Sequence, residues 1–207
     1  MQAVALSQPR TSRDLDLLEQ VYRLRARVFA QRLGWVACKG ERECDEFDAL
    51  EPTYILAIDE QSNVVGCARL LPACGPTMLQ TLFSCLLGGG DAFHPHASMI
   101  ESSRFCVDID HCQGIEGRPL HLATRTMFAA IAEWSFLNGY NEIVTVTDVR
   151  LERLLNRSGW PMRRLGEPRL INETPSVAGV LAADQATFER ICPADYHSEF
   201  VERVKVA

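Results

Sequence analysis

None of the eight cysteines in this chain (38, 44, 67, 74, 85, 106, 112 and 192) forms a C-x-x-C pair. Several sit in apolar runs, where a free thiol packs as a small hydrophobe, so a reduced, cytoplasmic protein without a zinc site is expected. Long apolar stretches are also missing. The longest, Phe128 to Leu137, is broken by Glu133 and falls short of a membrane span. The opening Met-Gln-Ala-Val-Ala-Leu-Ser has neither a basic segment nor a long apolar core, so no secretory signal is evident and a soluble chain is expected. Positive charge is in deficit: a net charge of −6 excludes a general nucleic-acid binder. There is no internal repeat and no linker-like segment, which leaves one domain over residues 1–207. With 47% hydrophobic and 23% charged residues, wholesale disorder is excluded.

What is present centres on Met99-Ile100-Glu101-Ser102-Ser103-Arg104-Phe105-Cys106-Val107. β-Branched and aromatic residues, no Gly or Pro, and turn-forming flanks predict a strand. A buried strand should not carry Glu101 and Arg104 unless both are paired or used. In a regular strand residues three apart point to opposite faces. Either one charge is in solvent, or a bulge near Ser102-Ser103 turns both toward one cavity.

In chain order, Thr11 or Ser12 can cap a helix to about Arg32, with Asp14 and Asp16 in its first turn. Leu18, Val21, Tyr22, Arg25 and Phe29 share its apolar stripe, so Arg25 either snorkels past the core edge or reaches a polar cavity. Gly34-Trp35 ends the helix. Val36 to Glu51 reads as an irregular, acidic, mobile loop anchored by Phe47 and Leu50. Thr53 to Asp59 and Val64 to Leu71 form a hairpin, the second strand carrying Arg69 on the face of Val65, Cys67 and Leu71. Met78 to Leu87 predicts a short helix ended by Gly88-Gly89-Gly90. His94 and His96 lack acidic or thiol neighbours at ligand spacing and are assigned to a turn.

Asp108 to Arg118 is a polar loop with Gly114 and Gly117. Pro119 starts a helix to about Asn138 whose Leu122, Met127, Ala130, Ile131, Trp134 and Leu137 face a core. Glu142 to Thr147 is a strand and Val149 to Asn156 a helix stopped by Ser158-Gly159. Residues 161–171 and 177–183 supply two last strands around a turn at Asn172 to Ser176, and a short helix starts at Asp184 or Thr187. This order gives an α/β fold, an α/β/α sandwich around a mixed sheet.

Arg25, Arg69 and Arg104 each lie on an element that should be apolar. Glu101, Asp45 and Asp48 make six such charges, and burying them unpaired costs several kcal/mol each. One shared polar cavity is the economical solution. Asp45 and Asp48 beside Trp35 would also suit a cationic aromatic ligand.

Three blocks, in order, carry a resemblance: Arg25-x-x-x-Phe29, Gly34-Trp35 and Glu43-x-Asp45-x-x-Asp48; then Val65-Gly66-Cys67-Ala68-Arg69-Leu70-Leu71-Pro72; then Glu101-Ser102-Ser103-Arg104-Phe105. Over about residues 20–160 the chain resembles the LuxI-type acyl-homoserine-lactone synthases, and Gly139, Thr145 and Arg157-Ser158-Gly159-Trp160 fit as well. The resemblance implies a mostly antiparallel sheet similar to the GCN5-related N-acetyltransferases. It implies an enzyme that joins an acyl group, from acyl carrier protein or coenzyme A, to S-adenosylmethionine and makes a diffusible quorum-sensing signal. S-Adenosylmethionine is then a substrate, and no cofactor or metal is implied.

The same resemblance implies two steps: attack of the α-amine on the thioester, then closure of the lactone with loss of 5′-methylthioadenosine. Glu101 is the expected base, because a free α-amine is largely protonated near neutrality. Arg25, Phe29, Trp35, Asp45, Asp48, Arg69 and Arg104 would shape the S-adenosylmethionine site, with Arg69, Arg104, Asp45 and Asp48 among its working charges. Met99, Ser103, Phe105, Met127 and Thr145 are expected to line the acyl pocket, between the Met99 and Ile143 strands beside the Pro119 helix. Thr145 hints at tolerance of a 3-oxo group. The loop Gln113-Gly114-Ile115-Glu116-Gly117-Arg118 is a degenerate pyrophosphate loop whose Glu116 favours a carrier protein over free coenzyme A. Arg150, Arg153, Arg157, Arg163 and Arg164 form a basic stretch fit for an acidic carrier, or a solvated face. The competing readings are an acetyltransferase acting on another amine, a sensor that binds S-adenosylmethionine without turnover, and a hydrolase using Cys106.

Overall fold

Thr11 opens the first helix of the computed structural model, which describes residues 1–36, 38, 40–89, 93–108 and 119–200, the side chains of 119–121 apart. Its hydroxyl accepts from the Asp14 N–H while the Asp14 carboxylate accepts from the Thr11 N–H. This capping box satisfies two donors at the start of α1 (Ser12–Arg25). The helix continues as a π-helical stretch over Ala26–Arg32, a rare widened form that recurs at functional positions. Leu17, Val21, Leu24 and Arg25 are the buried residues of α1, whereas Leu18 and Tyr22 of the expected stripe are only partly buried.

The chain forms two compact units. The first comprises Met1–Arg69, Arg104–Ile131 and Cys192–Ala207; the second comprises Leu70–Ser103 and Ala132–Ile191. In the first, β1 (Gln2–Ser7) pairs antiparallel with β2 (Thr53–Ile58), Val4 opposite Leu56. β3 (Val64–Pro72) and then β4 (Met99–Val107) follow in strand order. β1 is absent from the sequence expectations: Ala3-Val4-Ala5-Leu6 does not alternate, because it is buried on both faces. Residues 197–199 hold its other side, with the Ala3 N–H donating to His197 O at 2.8 Å and the Glu199 N–H donating to Ala3 O at 3.1 Å. The core of this unit packs Val21, Leu24, Val28 and Phe29 on Leu6, Leu56, Cys67 and Cys106.

In the second unit β4 pairs in parallel with β5 (Glu142–Asp148), from Met99 opposite Glu142 to Ser102 opposite Thr145. β5 pairs antiparallel with β8 (Thr174–Ala182), which also carries β6 (Arg163–Arg164) and β7 (Arg169–Ile171). β8 starts before the expected residue 177 because the turn needs only Asn172 and Glu173, with Asn172 at φ 52°. The fold is therefore α/β with a mixed, mostly antiparallel sheet. The expected helix from Met78 to Leu87 is two pieces, α2 (Met78–Thr81) and a 3-10 turn over Ser84–Leu86. Met78 O takes the N–H groups of both Leu82 and Phe83, and the ladder ends there.

Further helices among the described residues are α3 (Pro119–Leu137), α4 (Val149–Arg157) and α5 (Gln185–Ile191). Leu137, expected in the core, is exposed at the last turn of α3. Asp148 caps α4 by accepting from the Arg150 and Leu151 N–H groups. The Gln113–Arg118 loop and Cys112 lie outside the described residues. Among the described residues no helix is long and apolar enough to cross a membrane.

Gly166 meets Leu86–Gly88 backbone to backbone, and the Gly88 N–H donates to Leu165 O at 2.7 Å. A Cβ at Gly166 would lie 2.4 Å from Leu86 O and 2.8 Å from the Gly88 nitrogen. Neither obstacle can rotate away as a side chain could. Gly166→Ala should therefore cost about 2 kcal/mol or more and lower Tm by roughly 5 °C in a thermal melt.

Candidate active site

Arg25, Arg69 and Arg104 belong to the first unit and meet three carboxylates there. Arg25 Nε lies 2.5 Å from Glu43 Oε2, and its two terminal nitrogens clamp Asp48 at 2.7 and 3.0 Å. Arg69 Nη1 donates to Asp48 Oδ1 at 2.8 Å and also to Asp45 Oδ1. Arg104 bonds Glu43 Oε1 through Nε at 3.2 Å, and its Nη2 lies 2.7 Å from Asp45 Oδ2. The result is three guanidiniums balanced by three carboxylates, five of them expected from the sequence. Glu43, quoted only as part of a motif, is the sixth; its legible signal was its place two residues before Asp45.

Among its described residues the acidic run is irregular up to Asp45, as expected, but its last part is ordered. Asp45 caps a 3-10 helix over Glu46–Leu50, accepting from the Phe47 N–H at 3.0 Å, while Asp48 Oδ2 accepts from the Asp45 N–H at 2.8 Å. Their spacing of three makes each carboxylate hold the other's backbone, which aims both at the arginines. Phe47 is the buried anchor and its ring lies 5.4 Å from the Arg69 guanidinium; Leu50 is exposed and anchors nothing.

Arg25 and Arg69 have no exposed surface, so Arg25 does not snorkel. Asp45 and Arg104 keep 12% and 13% of theirs, which makes them the open edge of the network. Asp45 Oδ2 accepts no well-formed hydrogen bond despite its ionic contact with Arg104. Burial works to raise the Asp48 carboxyl, but the hydrogen bonds and charge of Arg25, with the charge of Arg69, hold it far below the usual carboxylate range. Burial likewise disfavours the charged Arg25, and Asp48 and Glu43 outweigh it.

The break in β4 falls at Arg104, φ 54°, one residue beyond the Ser102-Ser103 pair where it was expected. A left-handed arginine costs about 1–2 kcal/mol, which its ionic contacts offset. Phe29 lies 5.6 Å from the Arg104 guanidinium and stacks on the partly exposed ring of Trp35 at 6.1 Å. Cys106 is packed in this core with its sulfur 3.4 Å from that of Cys67. Burial, then Cys67, pushes its thiol well up, which makes it a poor nucleophile and removes the hydrolase reading.

Glu101 lies in the second unit, three residues before Arg104 on the same strand. Its buried carboxylate accepts the Met78 and Leu79 N–H groups at 3.0 and 2.7 Å, holding the start of α2. The expected acyl-pocket residues divide between the units. Phe105, ring to ring with Phe128 at 5.4 Å, and Met127, packed where Gly66 has no Cβ, belong to the first. Met99, Ser103 and Thr145 belong to the second, with Met99 in an apolar cluster of Leu79, Leu86, Val144, Leu165 and Val180. An acyl chain cannot run between β4 and β5 as expected from Met99 to Ser102, because adjacent hydrogen-bonded strands stand only about 5 Å apart. Thr145 donates its hydroxyl to Ser102 O at 2.8 Å, so it can meet a 3-oxo oxygen only by giving up that bond.

Arg150, Arg153, Arg157, Arg163 and Arg164 all reach the surface of the second unit. Arg164 is engaged with the buried Glu152 through bonds of 2.6 and 2.8 Å, and Arg163 lies 3.6 Å from Glu142. Arg150, Arg153 and Arg157 share one face of α4 at helical spacing. His96, assigned to a turn, sits 2.9 Å from Glu142 Oε2.

The site is thus a buried, charge-balanced ionic cluster on an α/β fold with a mixed sheet. The fold is similar to that of a putative N-acetyltransferase from Lactobacillus plantarum, with a TM-score of 0.57 at 15% identity over 89% of this chain and 100% of that one. Residues 10–191 match the autoinducer synthase family. A probable acyl-homoserine-lactone synthase of Sinorhizobium fredii is 53% identical over 97% of both chains. The crystal structure of the synthase LasI matches with a TM-score of 0.80 at 31% identity, covering 92% of this chain and 93% of that one. TofI, solved in a ternary complex with an inhibitor and MTA, matches at 0.77 and 28% identity over 92% of this chain and 96% of that one. The chain belongs to the autoinducer synthase family, and its activity is that of an acyl-homoserine-lactone synthase, an acyltransferase.

Proposed function

We propose that the open edge of the ion network receives the methionyl end of S-adenosylmethionine. The observation that carries this is the pairing of an incompletely bonded acceptor, Asp45 Oδ2, with Arg104 on the more exposed edge of a cluster whose Arg25 and Arg69 are fully buried. Asp45 suits the substrate ammonium, and Arg104 the carboxylate through a two-pronged contact. Trp35, backed by Phe29, offers an aromatic face to the adenine or the sulfonium. Arg25, Glu43, Asp48 and Arg69 hold this edge in place.

Glu101 is assigned the proton of the α-amine. The freed amine attacks the thioester carbonyl, the carbon–nitrogen bond forms, and the carrier thiol leaves. Backbone N–H groups of β4 are the donors assigned to the developing oxyanion. The methionyl carboxylate then attacks its own γ-carbon, the carbon–sulfonium bond breaks, and 5′-methylthioadenosine departs. That second step needs alignment rather than acid–base help. Met99, Ser103, Phe105, Met127 and Thr145 remain the residues assigned to the acyl chain.

The acyl donor is assigned to acyl carrier protein, on the strength of the arginine face of α4, and the reaction to the cytoplasm. Incubation with S-adenosylmethionine and acyl carrier protein thioester should release methylthioadenosine and acyl-homoserine lactone in equal amounts. Absence of methylthioadenosine would instead favour acylation of some other amine. Replacing both Arg150 and Arg153 with Glu should raise KM for the carrier-bound donor roughly tenfold, with kcat unchanged and the defect shrinking in high salt. Unchanged KM would move docking elsewhere.

A further inference from the structure

We infer that Tyr54 is a positioning residue for S-adenosylmethionine that acts through Asp48, an inference that rests on the reading of the ion network given above. Asp48 Oδ1 takes three donors: Arg25 Nη1 at 2.7 Å, Arg69 Nη1 at 2.8 Å and the Tyr54 hydroxyl at 2.7 Å. They come from α1, β3 and β2, so three elements fix one oxygen and leave it no direction in which to swing. The carboxylate has no hydrogen to give, so Tyr54 is the donor to Asp48. Burial, then the Asp48 charge, pushes the Tyr54 phenol far above its ordinary range, so it stays a donor throughout the working pH range.

The effect reaches the substrate edge in one further step. Asp48 Oδ2 holds the Asp45 N–H at 2.8 Å, and Asp45 carries the acceptor assigned to the substrate. Tyr22, Tyr54 and Asp48 also share the wall of a cavity of about 430 Å³ with Leu18, Arg10 and Glu51. Loss of the Tyr54 hydroxyl lets cavity water compete for Asp48 Oδ1, and the carboxylate then holds Arg25 and Arg69 less firmly.

Tyr54→Phe keeps the ring in the core and removes only the donor. It should raise KM for S-adenosylmethionine about tenfold, the usual weight of a hydrogen bond to a charged group, with kcat and KM for the acyl donor within twofold. In an Asp48→Ala background, which has no acceptor for the hydroxyl, Tyr54→Phe should not weaken equilibrium binding of S-adenosylmethionine any further, which general loosening of the core would not produce. An unmoved KM in Tyr54→Phe, or equal losses in kcat and in both KM values, overturns the inference while the reading of the site stands. A wild-type chain that releases no methylthioadenosine overturns the site reading and this inference together.

Discussion

Asp48→Ala should abolish detectable lactone synthesis and destabilise the protein by about 3–5 kcal/mol, the usual effect of removing one partner from a buried ion pair. Arg25 and Arg69 are both without exposed surface, and each directs nitrogens at Asp48 from 2.7–3.0 Å. Deleting the carboxylate leaves three guanidiniums facing two carboxylates, and water admitted from the adjoining cavity cannot replace the missing charge. A difference of that size should lower Tm by roughly 10 °C in a protein of this length. The pH dependence gives a second reading. Asp48 is held far below its ordinary value by Arg25 and Arg69 against the effect of burial. Its contribution is therefore complete above the ordinary carboxylate range, near pH 4, and fades as pH falls further. Denaturant unfolding of wild type and Asp48→Ala should differ fully at pH 7 and converge on acidification toward pH 2. A variant within 1 kcal/mol of wild type at pH 7 would show that the cluster is not held by this residue.

Glu101→Gln should slow acyl transfer by a factor of 10²–10⁴, the range expected on losing a positioned base, with S-adenosylmethionine affinity kept within about threefold. The amide cannot take the amine proton. It also keeps only one of the two oxygens that accept from Met78 and Leu79, so α2 loses a bond and the protein about 1–2 kcal/mol. Single-turnover measurements at saturating S-adenosylmethionine separate the two effects. The residual rate of the variant should climb with pH as solvent removes the proton, up to the range near 7.7–8.0 where a free α-amine loses it. Undiminished transfer would release Glu101 from the base role. Lost binding with intact chemistry would make it a recognition residue instead.

The ionic cluster was legible because Arg25, Arg69 and Arg104 stand where apolar residues belong. That pattern identifies misplaced charges without saying which partner each one meets. Glu43 escaped for the same reason: within a run of six acidic or basic residues nothing marks one glutamate as buried. The run looked like solvated loop because the capping geometry of Asp45 and Asp48 is a side-chain property that periodicity does not record. β1 was illegible because a strand covered on both faces shows no alternation, and its support comes from residues 197–199, nearly two hundred positions away. The acyl pocket was drawn between two strands that turn out to be hydrogen-bonded neighbours over Met99–Ser102, a register that only the three-dimensional pairing defines. Thr145 shows the same limit on a smaller scale, since its hydroxyl is already committed to Ser102 O.

The clasp around β1 sets an order on how the polypeptide can mature. Ala3 and His197 stand nearly two hundred positions apart along the chain, and the first unit draws on three stretches interrupted by both stretches of the second. Such distant partners must pay loop-closure entropy before any contact rewards them, which slows assembly. On a ribosome the first unit therefore cannot close around β1 until residues 197–199 have been made.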